Sequence, residues 1–149
     1  MSTTTVVAAV TALGAGSLGG LFLAFSTAVL PGLVRRPAEQ AAAAMREINR
    51  AIVNPVFLLV FAGTALTSAA TVVLGLLDGR PLLAIGAGLT LLGAHVITAA
   101  RNIPLNDALD RAQGAAAWEA FAGPWNRAHR VRTLLTIAGA AVLTAGLVS

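Results

Sequence analysis

Three side chains late in the chain, Trp125, His129 and Arg132, fall at i, i+4 and i+7, so on a helix they share one face. In that order they offer a flat stacking surface, a group that titrates near neutral pH and a cation able to stabilise an anion. The same face also reads as an interfacial belt, with the indole at headgroup depth and the arginine on lipid phosphate. A second constellation is Arg101-Asn102-Ile103-Pro104-Leu105-Asn106, which sets a guanidinium, two amides and a proline where the apolar run Leu82 to Ala100 gives way to charge. All five asparagines, Asn49, Asn54, Asn102, Asn106 and Asn126, lie in or beside two polar connections. Amides at a membrane boundary need partners, and they find them in one another or in a ligand.

His95 is the one ionisable side chain inside an apolar run, which marks it as a site candidate because its desolvation needs a compensating partner. A neutral imidazole bonded to a hydroxyl such as Thr98 satisfies the same need. His95 and Asn102 are seven residues apart, two α-helical turns, so both are expected to face the same way. Pro104 is expected to stop that helix near Arg101 or Asn102, with Asn102 as its C-cap. Asn106 would then cap a helix starting at Asp107, with Asp107 and Asp110 near its positive end.

The elements that carry these residues follow from composition. Of the 149 residues 57% are hydrophobic and only 11% charged, with mean hydropathy +0.83, too little polar surface to cover a soluble globule. A bilayer core of roughly 30 Å needs about 20 apolar residues per helix. Four stretches free of Lys, Arg, Asp and Glu come close: Val6 to Val34, Pro55 to Leu77, Leu82 to Ala100 and Thr133 to Ser149. The expected fold is therefore all-α, a four-transmembrane-helix bundle in one domain over residues 1–149. The apolar run after Met1 to Thr5 lacks a basic start and exceeds a signal core, so it reads as a retained span.

Arginines set the topology. Arg35, Arg36, Arg46 and Arg50 fall in the first connection, Arg80 alone in the second, and Arg101, Arg111, Arg127, Arg130 and Arg132 in the third. The positive-inside rule then places connections one and three in the cytoplasm and both termini outside, in the cell (inner) membrane. The net charge of +4 has this topological cause and does not imply nucleic acid.

Within the first span, Gly16 and Gly20 have the small-xxx-small spacing that lets a neighbouring helix approach, within the chain or in a homo-oligomer. Pro31 and Gly32 end that run. Ala38 to Ile52 repeats apolar residues at Ala42, Met45, Ile48 and Ile52, so it is expected as an amphipathic helix in the interface, or as a lid over a pocket formed with the third connection. Asp78-Gly79-Arg80-Pro81 reads as a tight turn between spans two and three. The third connection is expected to be helical as it enters span four.

Absent cysteine removes disulfides, thiolate nucleophiles and thiolate metal sites. Two histidines with no carboxylate inside a span do not make a three-ligand metal site, and no attachment pattern supports haem. With a lone histidine in the spans there is little to build an ion or proton path.

Taken together, Asn102-x-Pro104-x-Asn106 closing span three, Trp118, Trp125 and His129-x-x-Arg132 opening span four, Pro31, Ile48-Asn49 and Asn54-Pro55 resemble the anthrone-oxygenase-like family of small four-span membrane proteins. The resemblance implies oxidation of a lipophilic anthrone- or quinol-like aromatic by molecular oxygen, without metal or flavin. It implies His129, or else His95, as a base that forms an enolate, with Asn102, Asn106 and Arg132 stabilising the oxyanion. Trp118 and Trp125 would stack on the flat substrate, and Asn49 and Asn54 would help to bind it. Such a substrate could reach the protein laterally from the bilayer. A non-catalytic membrane binding, accessory or assembly protein is the other expectation, its Asn and Trp residues then being caps and interface anchors.

Overall fold

A computed structural model describes Met1–Ser149, and it contains helices and no strands. In chain order they are α1 (Thr3–Val34), α2 (Ala38–Ile52), α3 (Pro55–Leu77), α4 (Pro81–Arg111) and α5 (Ala115–Val148). All except α2 are long and apolar enough to cross a membrane. They form a ring in which α1 packs on α3 and α5, and α4 closes it between α3 and α5. Neighbours run antiparallel: α1 meets α3 at Thr11 with Thr71 and Gly14 with Thr64, and meets α5 at Phe22 with His129 and Gly19 with Ile137.

One end of the ring is closed by small residues. Thr11 and Thr71 share a hydrogen bond of 2.9 Å between α1 and α3. A Cβ on Gly86 would lie 2.7 Å from the Leu143 amide nitrogen, and one on Gly139 would lie 2.8 Å from the Gly86 carbonyl oxygen, so here α4 and α5 meet backbone to backbone. Without side chains between them, dispersion and close packing replace the hydrophobic effect that lipid does not supply. The Asp78-Gly79-Arg80-Pro81 turn forms as expected, with Gly79 at φ +66. Arg80 donates to the Thr5 hydroxyl (3.0 Å) and the Gly146 carbonyl (2.9 Å), tying this end to both chain termini.

The other end is wide and aromatic. There α2 lies across the bundle with Ala41, Ala42 and Met45 buried against Leu109, Ala117, Trp118, Phe121 and Trp125. Arg46 clamps it by donating to the carbonyls of Leu109 (3.0 Å) and Ala112 (2.7 Å), the orphan acceptors where α4 ends. The boundaries expected for this helix are the observed ones.

Several local expectations are corrected. Pro104 does not stop the third span, and Pro31 does not stop the first. Before each proline the helix widens to i→i+5 bonding, over Leu91–Asn102 and Phe25–Val29. A proline cannot donate to the carbonyl four residues back and its ring collides with it, and the wider turn moves that carbonyl away. The chain therefore stays helical to Arg111, and the break falls at Gly114, whose φ is +75. Asn102 is consequently not a C-cap and Asn106 not an N-cap. Span four begins at Ala115 instead of Thr133, passing through Pro124. At 34 residues α5 is about 50 Å long, so part of it stands beyond the hydrocarbon. Gly16 and Gly20 face no neighbour within 4 Å, whereas Gly14 meets Thr64 and Gly19 meets Ile137.

Candidate functional site

A cavity of about 290 Å³ lies at the wide end, roofed by α2. Small-molecule sites range over roughly 300–1,000 Å³, so it suits one compact ligand. The walls come from every helix. α1 contributes Phe22 and Phe25, α3 Phe57 and Phe61, and α2 Ile48, Asn49 and Ile52; Thr98, Ile103 and Asn106 come from α4, and Trp125 and Arg132 from α5. Its mouth is framed by Val53, Leu58 and Ile103, all exposed apolar side chains between α2, α3 and α4.

Trp125, His129 and Arg132 share one buried face of α5, as their spacing requires. The indole and imidazole stack at 4.6 Å with an interplanar angle of 13°. His129 is fully buried, and its Nδ1 accepts from Arg132 Nε (3.1 Å) and Nη2 (3.0 Å). Arginine has no acceptor, so the tautomer is fixed: Nδ1 carries the lone pair and Nε2–H donates to the Phe22 carbonyl at 2.9 Å. Arg132 Nη1 donates to the Thr98 hydroxyl at 3.0 Å. Three of the five N–H groups of a guanidinium are thereby engaged, which leaves two for a ligand.

No carboxylate balances this cation. Arg132 is 8% exposed, and the ion pairs of the chain are Arg50 with Glu47 and with Asp110, on the surface. Partial compensation comes from the Phe22 ring, 4.2 Å from the guanidinium carbon, and from Trp125 at 5.3 Å. A buried, unneutralised guanidinium at the wall of an apolar cavity carries a desolvation penalty that an anionic occupant would offset.

The amides separate. Asn106 lines the cavity, and its Oδ1 accepts from Trp125 Nε1–H at 2.7 Å, leaving its N–H groups free to turn to a ligand. Asn49 also lines it, from α2. Asn102 is buried off the wall, held by one long contact of 3.5 Å to the Trp125 carbonyl, with Oδ1 unpartnered. Asn54 caps α3, accepting from the Phe57 N–H at 3.0 Å, and stands outside the cavity. Trp118 belongs to the core under α2.

His95 and Asn102 do not face the same way. The intervening i→i+5 turns rotate less per residue than an α-helix, so seven residues are not two turns. His95 Nε2 meets the Phe61 carbonyl at 2.9 Å toward α3, and Asn102 points to α5. Thr98, expected as a partner for His95, serves Arg132 instead.

Sequence reasoning gave the phenylalanines of the wall no role, because an apolar side chain within an apolar run does not stand out by type. Their signal was spacing, Phe22 to Phe25 and Phe57 to Phe61, which puts each pair on one face. No three His, Cys, Asp or Glu side chains gather in the chain.

A family model described as anthrone oxygenase matches residues 48–142, nearly two thirds of the chain and most of the cavity wall. No curated protein and no solved structure matches.

Proposed function

The chain belongs to the anthrone oxygenase family, and from that premise we propose that its cavity holds the enolate of a lipophilic anthrone- or quinol-like aromatic and presents it to molecular oxygen. Membership supports an oxygenase-like kind of function. The observation that carries the finer reading is Arg132, a buried cation without a carboxylate on an aromatic-walled cavity. A cation beside a developing oxyanion favours the ionised form, and a preorganised donor in a dry site is worth about 10²–10³-fold.

In this reading His129 holds Arg132 in place, since its lone pair faces the guanidinium and its N–H is bonded to the backbone. Deprotonation accompanies binding: the acidic C–H of the ketone releases its proton to water as the oxygen settles against Arg132 and Thr98. Asn106 and Asn49 take a second oxygen nearer the mouth, with Trp125 and the phenylalanines against the rings. The enolate carbon then gives two electrons to oxygen, forming a C–O bond and a peroxide anion that water protonates. Loss of water, with the remaining C–H and the O–O bond breaking, leaves a carbonyl. One oxygen atom ends in the product and the other in water, and all four electrons come from the substrate.

The apolar mouth at Val53, Leu58 and Ile103 supports access from the bilayer. A second reading, a non-catalytic binding protein, is favoured by one observation: the wall carries neither a carboxylate nor a histidine. Oxygen uptake by purified, metal-analysed protein in detergent with a lipophilic anthrone separates the two. Uptake above autoxidation that falls about 10²–10³-fold in Arg132→Gln supports the oxygenase. Wild-type uptake equal to autoxidation, with the anthrone still bound, replaces it with the binding protein.

A further inference from the structure

A second groove, of about 360 Å³, runs between α4 and α5 on the outside of the bundle and shares no residue with the aromatic cavity. Arg101 and Arg127 flank it, both exposed, and neither is among the ion pairs of the chain. The bond between Thr98 and Arg132 and the contact between Asn102 and Trp125 fix the antiparallel register of the two helices. Arg101 thus stands level with the Arg127–Ala128 turn, while Ile97 and Val131 lie one turn deeper toward the middle of the bilayer.

The groove is therefore amphipathic along the membrane normal. Two unneutralised guanidiniums sit at its outer end, beside Pro124, and an apolar floor of Ile97, Ala128 and Val131 extends inward. A free anion would satisfy the arginines and leave the floor wet; a zwitterionic lipid would cover the floor and set its own cation against the arginines. We propose that this groove is a binding site for one anionic phospholipid, its phosphate between Arg101 and Arg127 and an acyl chain along the floor. The assignment rests on charge complementarity and depth, and is independent of what the cavity binds.

The test is native mass spectrometry of the full chain released from micelles doped with equal amounts of phosphatidylglycerol and phosphatidylcholine. The wild type retains one phosphatidylglycerol. In Arg101→Gln/Arg127→Gln its affinity is weaker by roughly thirty-fold, the effect of two interfacial arginines. The control Arg35→Gln/Arg36→Gln, an exposed pair outside the groove, retains it. Equal retention in both double variants, or equal retention of the two lipids by the wild type, overturns the proposal. Displacement of phosphatidylglycerol by millimolar inorganic phosphate overturns it too, by showing an anion site indifferent to the acyl chain. Thermal midpoints of the three proteins in lipid-free detergent should agree, since all four arginines are exposed and outside the ion pairs.

Discussion

The two ends of this bundle are built from the same four helices and differ in what lies between them. At the turn end, Gly75, Gly86, Gly139 and Gly146 bring backbones into contact, hydroxyls between the helices bond in pairs or to their own helix, and Arg80 and Asp78 of the turn are bonded to Thr5, Gly146 and Thr4. At the α2 end the interfaces carry Phe22, Phe25, Phe57, Phe61 and Trp125, and two helices widen before their prolines. Rings between helices hold them apart, and an arginine without a counter-ion fills part of the gap. The difference teaches a division of labour: the glycine end fixes the bundle so that the aromatic end can stay open and polar. One end is held by backbone contact, and the other carries the largest apolar core, under α2, beside an open cavity.

That division is most easily broken at Gly139. Any side chain there meets backbone on α4, with the Gly86 carbonyl at 2.8 Å and the Thr90 nitrogen at 2.9 Å from a Cβ, so nothing flexible can give way. Gly139→Val should destabilise the folded protein by about 3 kcal/mol, the upper end of overpacking costs, read from reversible unfolding in mixed micelles. A change below about 1 kcal/mol would mean that the closed end is not where the bundle is held.

A smaller effect sharpens the functional side. If His129 positions Arg132, His129→Asn keeps an acceptor for the guanidinium and should lower anthrone turnover about tenfold, less than the roughly 10²–10³-fold cost of removing an oriented donor outright. The pH profile of kcat/KM should keep its shape. Were His129 the base, the acid limb set by the imidazole would vanish with it. A lost limb would return the base to His129.

How much of this was legible in the sequence follows from what each feature depends on. The number of spans, the amphipathic Ala38–Ile52 helix and the Asp78–Pro81 turn rest on local pattern and stand as read, whereas spans three and four run further into the polar connection than their apolar cores. The shared face of Trp125, His129 and Arg132 is likewise local, because α5 is regular there. The prolines misled because a stop was inferred where the helix widens, and the widening then turned His95 and Asn102 apart. Cavity membership is a property of packing among five helices. Thus Asn54 and Trp118, plausible by type, fall outside the wall, and Phe22 and Thr98 fall on it. The lone pair of His129 could not be placed before Arg132 was seen to point back at it.

The smallest expected effect separates glycines that look alike in sequence. Gly16 and Gly20 have the spacing of a packing motif, yet a Cβ on either meets nothing within 4 Å, while Gly19 between them would meet Ile137 at 3.1 Å. Gly16→Leu and Gly20→Leu should therefore leave monomer stability within about 0.5 kcal/mol of wild type, or raise it slightly through helix propensity. Light scattering in detergent adds the second reading. An unchanged mass for both variants means that the spacing has no packing role, whereas a dimer lost on Gly16→Leu would give that exposed face to a second copy of the chain. In either case the glycines that close the bundle are those whose neighbours are backbone, and spacing alone does not identify them.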